Sequence, residues 1–144
     1  MGYSSTLQNL GKIQNQGLEL SINAEVLSND FGWNIIANVS GNRNKVLELS
    51  RESDIYSGNI DIPFYSSTNI IRVGEPFGMF YGYLEDGLDA NGFIQYEDTD
   101  GSSGITAEDR VIIGNPYPDF IFSVTNDFSY KNFDLSIFLD ASQG

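Results

Sequence analysis

From Gly17 the sequence alternates strictly between apolar and polar side chains: Leu18, Leu20, Ile22, Ala24 and Val26 fall on one side, and Glu19, Ser21, Asn23 and Glu25 on the other. Successive side chains of an extended strand point to opposite faces, so this run predicts a strand with one apolar and one polar face. After the turn formers Ser28, Asn29 and Asp30 the pattern resumes, with Trp33, Ile35, Ala37 and Val39 set against Asn34, Asn38 and Ser40. The two runs predict a hairpin with strands over about 17–27 and 32–40. The same grammar returns near the C-terminus, predicting strands over about 119–128 and 133–140 with a tight turn at 129–132. There Phe120, Phe122, Val124 and Phe128 form one apolar side, and Phe133, Leu135, Ile137 and Leu139 the other strand's; Ile121, Asn126 and Phe138 break the pattern.

Residues 41–118 separate the hairpins. A structureless connection longer than about 15 residues is unusual, so this segment must have structure of its own. Short strands are expected at 70–73, 79–84, 93–96 and 111–113, between Gly, Pro and Asp/Asn-Gly turn signals, while 50–68 reads as irregular and exposed. The segment holds 13 acidic and 5 basic residues.

Composition removes several functions. The chain is 40% hydrophobic and 13% aromatic, too apolar for disorder, and its net charge of −13 excludes a phosphate-binding surface, so nucleic acid is not a partner. With no Cys and no His, thiol nucleophiles, His-based triads, disulfides and ordinary zinc sites are excluded. Twenty acids offer many carboxylate pairs, but spacing singles out none, so no enzyme is expected. No apolar run approaches the ~18 residues of a membrane helix, and residues 1–10 lack the pattern of a secretory signal.

A soluble β-sandwich and a transmembrane β-barrel both need one apolar and one polar face per strand. Three details favour the barrel. The alternating runs approach the ~9 to 11 residues that cross a hydrocarbon core on a tilt. Short turns alternate with one very long connection, as barrels pair short periplasmic turns with long extracellular loops. Phe31, Trp33, Phe128, Tyr130 and Phe133 flank the two short turns at one level, as an interfacial girdle does. The fold class expected is therefore all-β: an antiparallel transmembrane β-barrel fragment of two β-hairpins (1–40 and 119–144) carrying a long structured extracellular loop (41–118), with outer-membrane lipid against its apolar faces. The alternative is a soluble secreted, calcium-stabilised β domain that binds carbohydrate.

Five runs in order carry a resemblance: NLGKIQNQGLELSI (9–22), NVSGNRNKVLEL (38–49), VGEPFGMFYGY (73–83), DGLDANGFIQYEDTDGSSGITAEDRVIIGNPYPDF (86–120) and YKNFDLSIFLDASQG (130–144). Together they resemble the late barrel region of SusC/RagA-type TonB-dependent outer-membrane transporters. The resemblance implies a segment of a 22-stranded, plugged barrel in the cell outer membrane that imports glycans, peptides or their breakdown products. It implies energy from TonB, through parts absent here, and a SusD-like surface lipoprotein as partner. It further implies that the chain is a fragment, with Met1 a start added at a cut.

One loop has the spacing of a cation site. Set against an EF-hand-type calcium loop, Asp98, Asp100 and Ser102 take positions 1, 3 and 5, Gly104 the backbone-carbonyl position 7, Thr106 position 9 and Asp109 position 12. Hard carboxylate oxygens at alternate positions of a tight loop suit Ca²⁺. Ser103 stands where the turn glycine belongs and Asp109 is shorter than the usual bidentate Glu, so weak affinity is expected. The bland reading is a solvated Asp-Gly turn without metal. Phe80, Tyr81 and Tyr83 are candidates for stacking on sugars, against the alternative that they pack a loop core. Arg110 and the Asn115 to Pro118 run are expected to fix how the segment returns to the third long strand.

Overall fold

The computed structural model describes residues 9, 11–59 and 67–144. Readings that fall on residues 1–8, 10 and 60–66, among them the N-terminal start and part of the stretch read as irregular, lie outside the described residues. The elements run β1 (Gly11–Ser28), β2 (Phe31–Leu49), β3 (Ile55–Asn59), β4 (Ser67–Ile71), β5 (Met79–Gly82), β6 (Glu85–Leu88), β7 (Ile94–Tyr96), a 3-10 turn (Ala107–Asp109), β8 (Val111–Gly114), β9 (Phe120–Tyr130) and β10 (Phe133–Gln143). They fall into two compact units. The first comprises residues up to Gln14 together with Asn44–Pro116, and the second comprises Asn15–Arg43 and Tyr117–Gly144.

In the second unit the long strands form one sheet in the order β1-β2-β9-β10. Strands β2 and β9 pair antiparallel from Phe31 opposite Tyr130 to Ser40 opposite Ile121, and β9 pairs β10 from Tyr130 opposite Phe133 to Phe120 opposite Gln143. Trp33, Ile35, Ala37 and Val39 thereby face Phe128, Asn126, Val124 and Phe122 across the ladder. Asn126, which breaks the alternation, falls on the apolar side by its place in the strand, and there its Oδ1 accepts from the Trp33 indole Nε1 at 3.2 Å. On the opposite face, Ser21 Oγ donates to Asn38 Oδ1 at 2.7 Å, and Asn38 Nδ2 to Ser123 Oγ at 3.3 Å. The aromatic residues at the hairpin ends meet as cross-strand neighbours: Phe128 has its ring centroid 5.9 Å from Trp33 and 6.0 Å from Phe31.

The transmembrane β-barrel expected from strand length, loop lengths and the aromatic girdle is not formed. The described strands make three separate open sheets, of four, four and two strands. Closure needs the first and last strands to pair, yet β1 and β10 stand at opposite ends of the order, and four strands fall short of the about eight that enclose even a filled interior. A membrane-spanning wall is therefore corrected to an open sheet. The apolar face also fails to become the core of a sandwich, since Leu18 is 78% and Phe133 79% exposed. Among the described residues no helix is long and apolar enough to cross a membrane, which has no bearing on strands.

The first unit holds the sheet β3-β4-β5-β8 and the separate ribbon β6-β7. Here strand β3 occupies part of the stretch read as irregular, pairing Ile55 with Ile71 and Tyr56 with Ile70. Its signal is weak because Gly58, at φ +70°, interrupts a five-residue strand. The buried apolar side chains Val46, Ile70, Ile71 and Met79 all belong to this unit. Val46 also fastens the turn after β4, donating to the Glu75 carbonyl and accepting from Gly74 N, each at 2.9 Å. Asn44 Oδ1 accepts from Phe77 N at 2.7 Å. A bulge between Phe80 and Tyr81 shifts the β5-β8 register.

Burial decides which substitutions matter. Ile70→Ala, at a fully buried site, should cost about 2–5 kcal/mol in denaturant unfolding, whereas Leu18→Ala at an exposed one should stay within about 0.5 kcal/mol. Equal losses would contradict the placement of the core.

Candidate metal centre and aromatic cluster

The loop between β7 and β8 is built around the carboxylate of Asp109. Thr106 caps the 3-10 turn, its Oγ1 accepting from Glu108 N at 3.2 Å. In return Asp109 Oδ2 accepts from Thr106 N at 2.7 Å and from the Thr106 hydroxyl at 3.3 Å, a capping box with Asp in place of the usual Glu. Asp109 Oδ1 reaches the other end of the loop, accepting from Thr99 N at 2.8 Å and Asp100 N at 3.3 Å. Four donors fill the roughly four lone-pair positions of a carboxylate. The side chain has no accessible surface, but what covers it is the thin loop wrapped round it, in which Asp98 and Asp100 remain exposed.

This arrangement sets its ionisation. The Thr106 N–H, outweighing the opposing effect of desolvation and joined by the N–H groups of Asp100 and Thr99, holds Asp109 below the ordinary value of 3.8.

Asp98, Asp100 and Asp109 each bring a carboxylate oxygen into one group, all within 4.8 Å of one another. Such a set of hard oxygens can coordinate a divalent cation. Of the other residues with calcium-loop spacing, Ser102 donates its N–H to Asp100 Oδ1 at 2.7 Å, Gly104 turns the loop at φ +92°, and Thr106 serves as the cap. Asp109 is already committed to the loop, so Asp98 and Asp100 are the carboxylates with capacity to spare.

Of the aromatic candidates, Phe80 and Tyr81 lie on β5 and Tyr83 just beyond its end. Tyr81 carries the Arg110 guanidinium 4.5 Å above its ring and Tyr56 against it at 5.5 Å. Burial, then the adjacent Tyr56, raises the Tyr81 hydroxyl above the usual 10.0. Tyr83 packs on Tyr96 at 5.4 Å, and Phe80 covers the Cα of Gly114, where an added Cβ would meet its ring at 3.3 Å. Arg110 Nη2 donates to the carbonyl of Ser67 and, at 3.1 Å, to that of Tyr81, joining the start of β4 to β5. Tyr56, Ser67, Tyr81, Glu108 and Arg110 line a cavity of about 400 Å³. Tyr56 escaped the sequence reading because it lies in the stretch taken as irregular; only its place opposite Ile70 brings it to Tyr81.

A strand-rich chain with a carboxylate-bearing loop has clear counterparts. No family model matches the chain. It is 37% identical to the TonB-dependent receptor P3 of Formosa agariphila, over 99% of this chain and 16% of that protein. With the TonB-dependent receptor SusC of Bacteroides thetaiotaomicron it shares 32% identity over 94% of its length and 14% of the receptor's. The solved RagAB peptide transporter superposes with a TM-score of 0.71 at 21% identity, covering 92% of this chain and 15% of that one, a likeness of fold. The chain thus spans about one sixth of the length of the curated relatives it matches. Along nearly its whole length it corresponds to a stretch of TonB-dependent receptor sequence, and this homology assigns it to the outer membrane. These relatives are receptors and transporters by name, not enzymes, which agrees with the expected lack of catalysis. The narrower expectation, a late β-barrel segment, is corrected by the three open sheets.

The depressed Asp109 pKa fixes the sign of a pH effect. A carboxylate held below its unfolded value contributes stability that is fully present above that value and is lost as pH falls through the lower, folded one. Protection of the Thr99 and Thr106 amides, measured against the exchange rate of an unstructured chain at the same pH, should therefore be high at neutral pH and fall only as pH drops below 3.8. Asp109→Asn, whose NH₂ cannot accept, should speed exchange at neutral pH and abolish the acid step; protection independent of pH would refute the clasp.

Proposed function

We propose that this chain is part of a TonB-dependent outer-membrane transporter that imports glycans, peptides or their breakdown products, with TonB and a SusD-like surface lipoprotein as partners. The observation that carries this reading is the correspondence with TonB-dependent receptors along almost the entire chain, at 37% identity to one and 32% to SusC. The acidic segment 41–118 faces outside water in this reading, consistent with its 13 acidic and 5 basic residues. Tyr81 and Tyr83 belong to its packing more than to a stacking platform, given the rings and the guanidinium already set against them, while Phe80 lies over Gly114 and stays partly exposed. Deleting the gene for the full-length protein should abolish uptake of its polymeric nutrient, with regain only when both the gene and TonB are present. Uptake that persists without TonB, or a product that does not fractionate with the outer membrane, would overturn the reading.

The cation of the Asp98 to Asp109 loop is calcium in this proposal. Its support is the all-oxygen donor set and the spacing of Asp98, Asp100, Ser102, Gly104, Thr106 and Asp109. Asp109 closes the loop with or without the ion; Asp98 and Asp100 supply most of the charge, so binding is weak. Calorimetric titration should show saturable calcium binding in the ~10⁻⁴ to 10⁻³ M range. Asp98→Ala should abolish it while leaving the Asp109 hydrogen bonds intact, and an absence of heat at millimolar calcium would sink the assignment.

A further inference from the structure

The turn that joins β6 to β7 contains the pair Asn91-Gly92, and of all the asparagines in the chain only Asn91 precedes a glycine. Such a pair carries its own reaction. The Gly92 amide nitrogen, once it has given up its proton to water, can attack the Asn91 side-chain carbonyl carbon Cγ. The N–Cγ bond forms, the Cγ–Nδ2 bond breaks, and Nδ2 takes up a proton and leaves as ammonia, closing a succinimide ring. Water then opens the ring. Attack at Cγ yields aspartate, and attack at the backbone carbonyl yields isoaspartate, with the main chain rerouted through the former side chain. No oxidant or reductant enters. Glycine permits the close approach because it has no Cβ, and among the described residues even an added Cβ at Gly92 would meet nothing within 4 Å.

The turn opposes this reaction at the atoms it needs. Gly92 N donates to the Asp89 carbonyl at 3.0 Å, so the nucleophile keeps its proton and its place. On either side of it Asp89 Oδ1 accepts from Asn91 N at 2.8 Å and Phe93 N at 2.9 Å, while Asp89 N donates to the Phe93 carbonyl at 2.8 Å. One carboxylate oxygen thereby fixes the peptides before and after the reacting one. The Phe93 N–H, against desolvation and with the Asn91 N–H beside it, holds Asp89 below the ordinary 3.8, so the group is ionised in neutral water. All these bonds lie between residues 89 and 93 and hold whatever else packs on the ribbon.

We infer that Asn91-Gly92 is a latent self-modification site and that Asp89 is the positioning residue that keeps it closed. Charge-assisted hydrogen bonds from one side chain set how often the turn opens, and cyclisation proceeds only from the open form. The product would carry a new negative charge beside Asp89, and isoaspartate would also lengthen the backbone within the turn.

The test incubates the full-length protein in neutral buffer and follows residue 91 by peptide mass mapping, with fragmentation that separates aspartate from isoaspartate. Conversion of Asn91 should be about tenfold or more slower in the folded protein than in the same protein unfolded in urea, a comparison that needs no variant. Asp89→Ala should recover most of that factor. Asp89→Asn, whose Oδ1 can still accept from both N–H groups, should stay close to the unaltered rate. Unchanged amide exchange at the buried Ile70 checks that the variants keep the fold. Equal rates in the folded and unfolded protein, or Asp89→Ala no faster than the unaltered chain, would overturn the inference. So would Asp89→Asn as fast as Asp89→Ala, since the charge of Asp89 and not its hydrogen bonds would then be the brake.

Discussion

Trp33 and Asn126 are 93 positions apart, yet one donates a hydrogen bond to the other within a ladder that runs from Phe31 and Tyr130 to Ser40 and Ile121. Without that β2-β9 pairing the second unit would be two unconnected hairpins, each marginal alone. Closing so long a connection costs only modestly more than closing a shorter one, because the entropy grows with the logarithm of loop length. The kinetic cost is larger, since pairing must wait for distant strands to meet, and folding slows as contacts become less local. The fold's principal ladder is thus also its slowest to assemble.

The long strands were legible because one face of each is apolar, and alternation is a strong local signal. Where that alternation stops, the signal stops with it: β2 continues to Leu49 through Gly41, Asn42, Arg43, Asn44 and Lys45, held in strand form without an apolar face. What alternation could not convey is how many strands meet and whether the sheet closes. That depends on partners along the edges, and the barrel inferred from strand length, loop lengths and the aromatic level became an open sheet. Strand β3 was missed for the opposite reason, being five residues long with a left-handed glycine inside it.

The loop before β8 was partly legible too. The spacing of Asp98, Asp100 and Asp109 suggested a cation loop, and each brings a carboxylate oxygen within 4.8 Å of the others. It did not distinguish a ligand from a clasp. Asp109 spends its lone pairs on Thr99, Asp100 and Thr106, a fact set by backbone N–H directions that spacing does not contain. The next residue, Arg110, binds the carbonyls of Ser67 and Tyr81, so neighbouring positions with opposite charge hold the loop and the sheet respectively. Sequence reading gave Arg110 a structural part without being able to say which strands it joins.

The Asn126 side chain has a further effect. Moving β2 past β9 by two residues would keep every apolar side chain on its proper face, so hydrophobic patterning alone resists such a slip weakly. The Trp33 indole has a single N–H, and in the observed register it reaches diagonally past Phe128 to the oxygen of Asn126, which stands opposite Ile35. A slip that carried Trp33 away from Asn126 would leave a part-buried amide without that donor, at about 1–3 kcal/mol if fully shielded from water. One amide on the apolar face therefore opposes slippage in that direction, which alternation by itself does not.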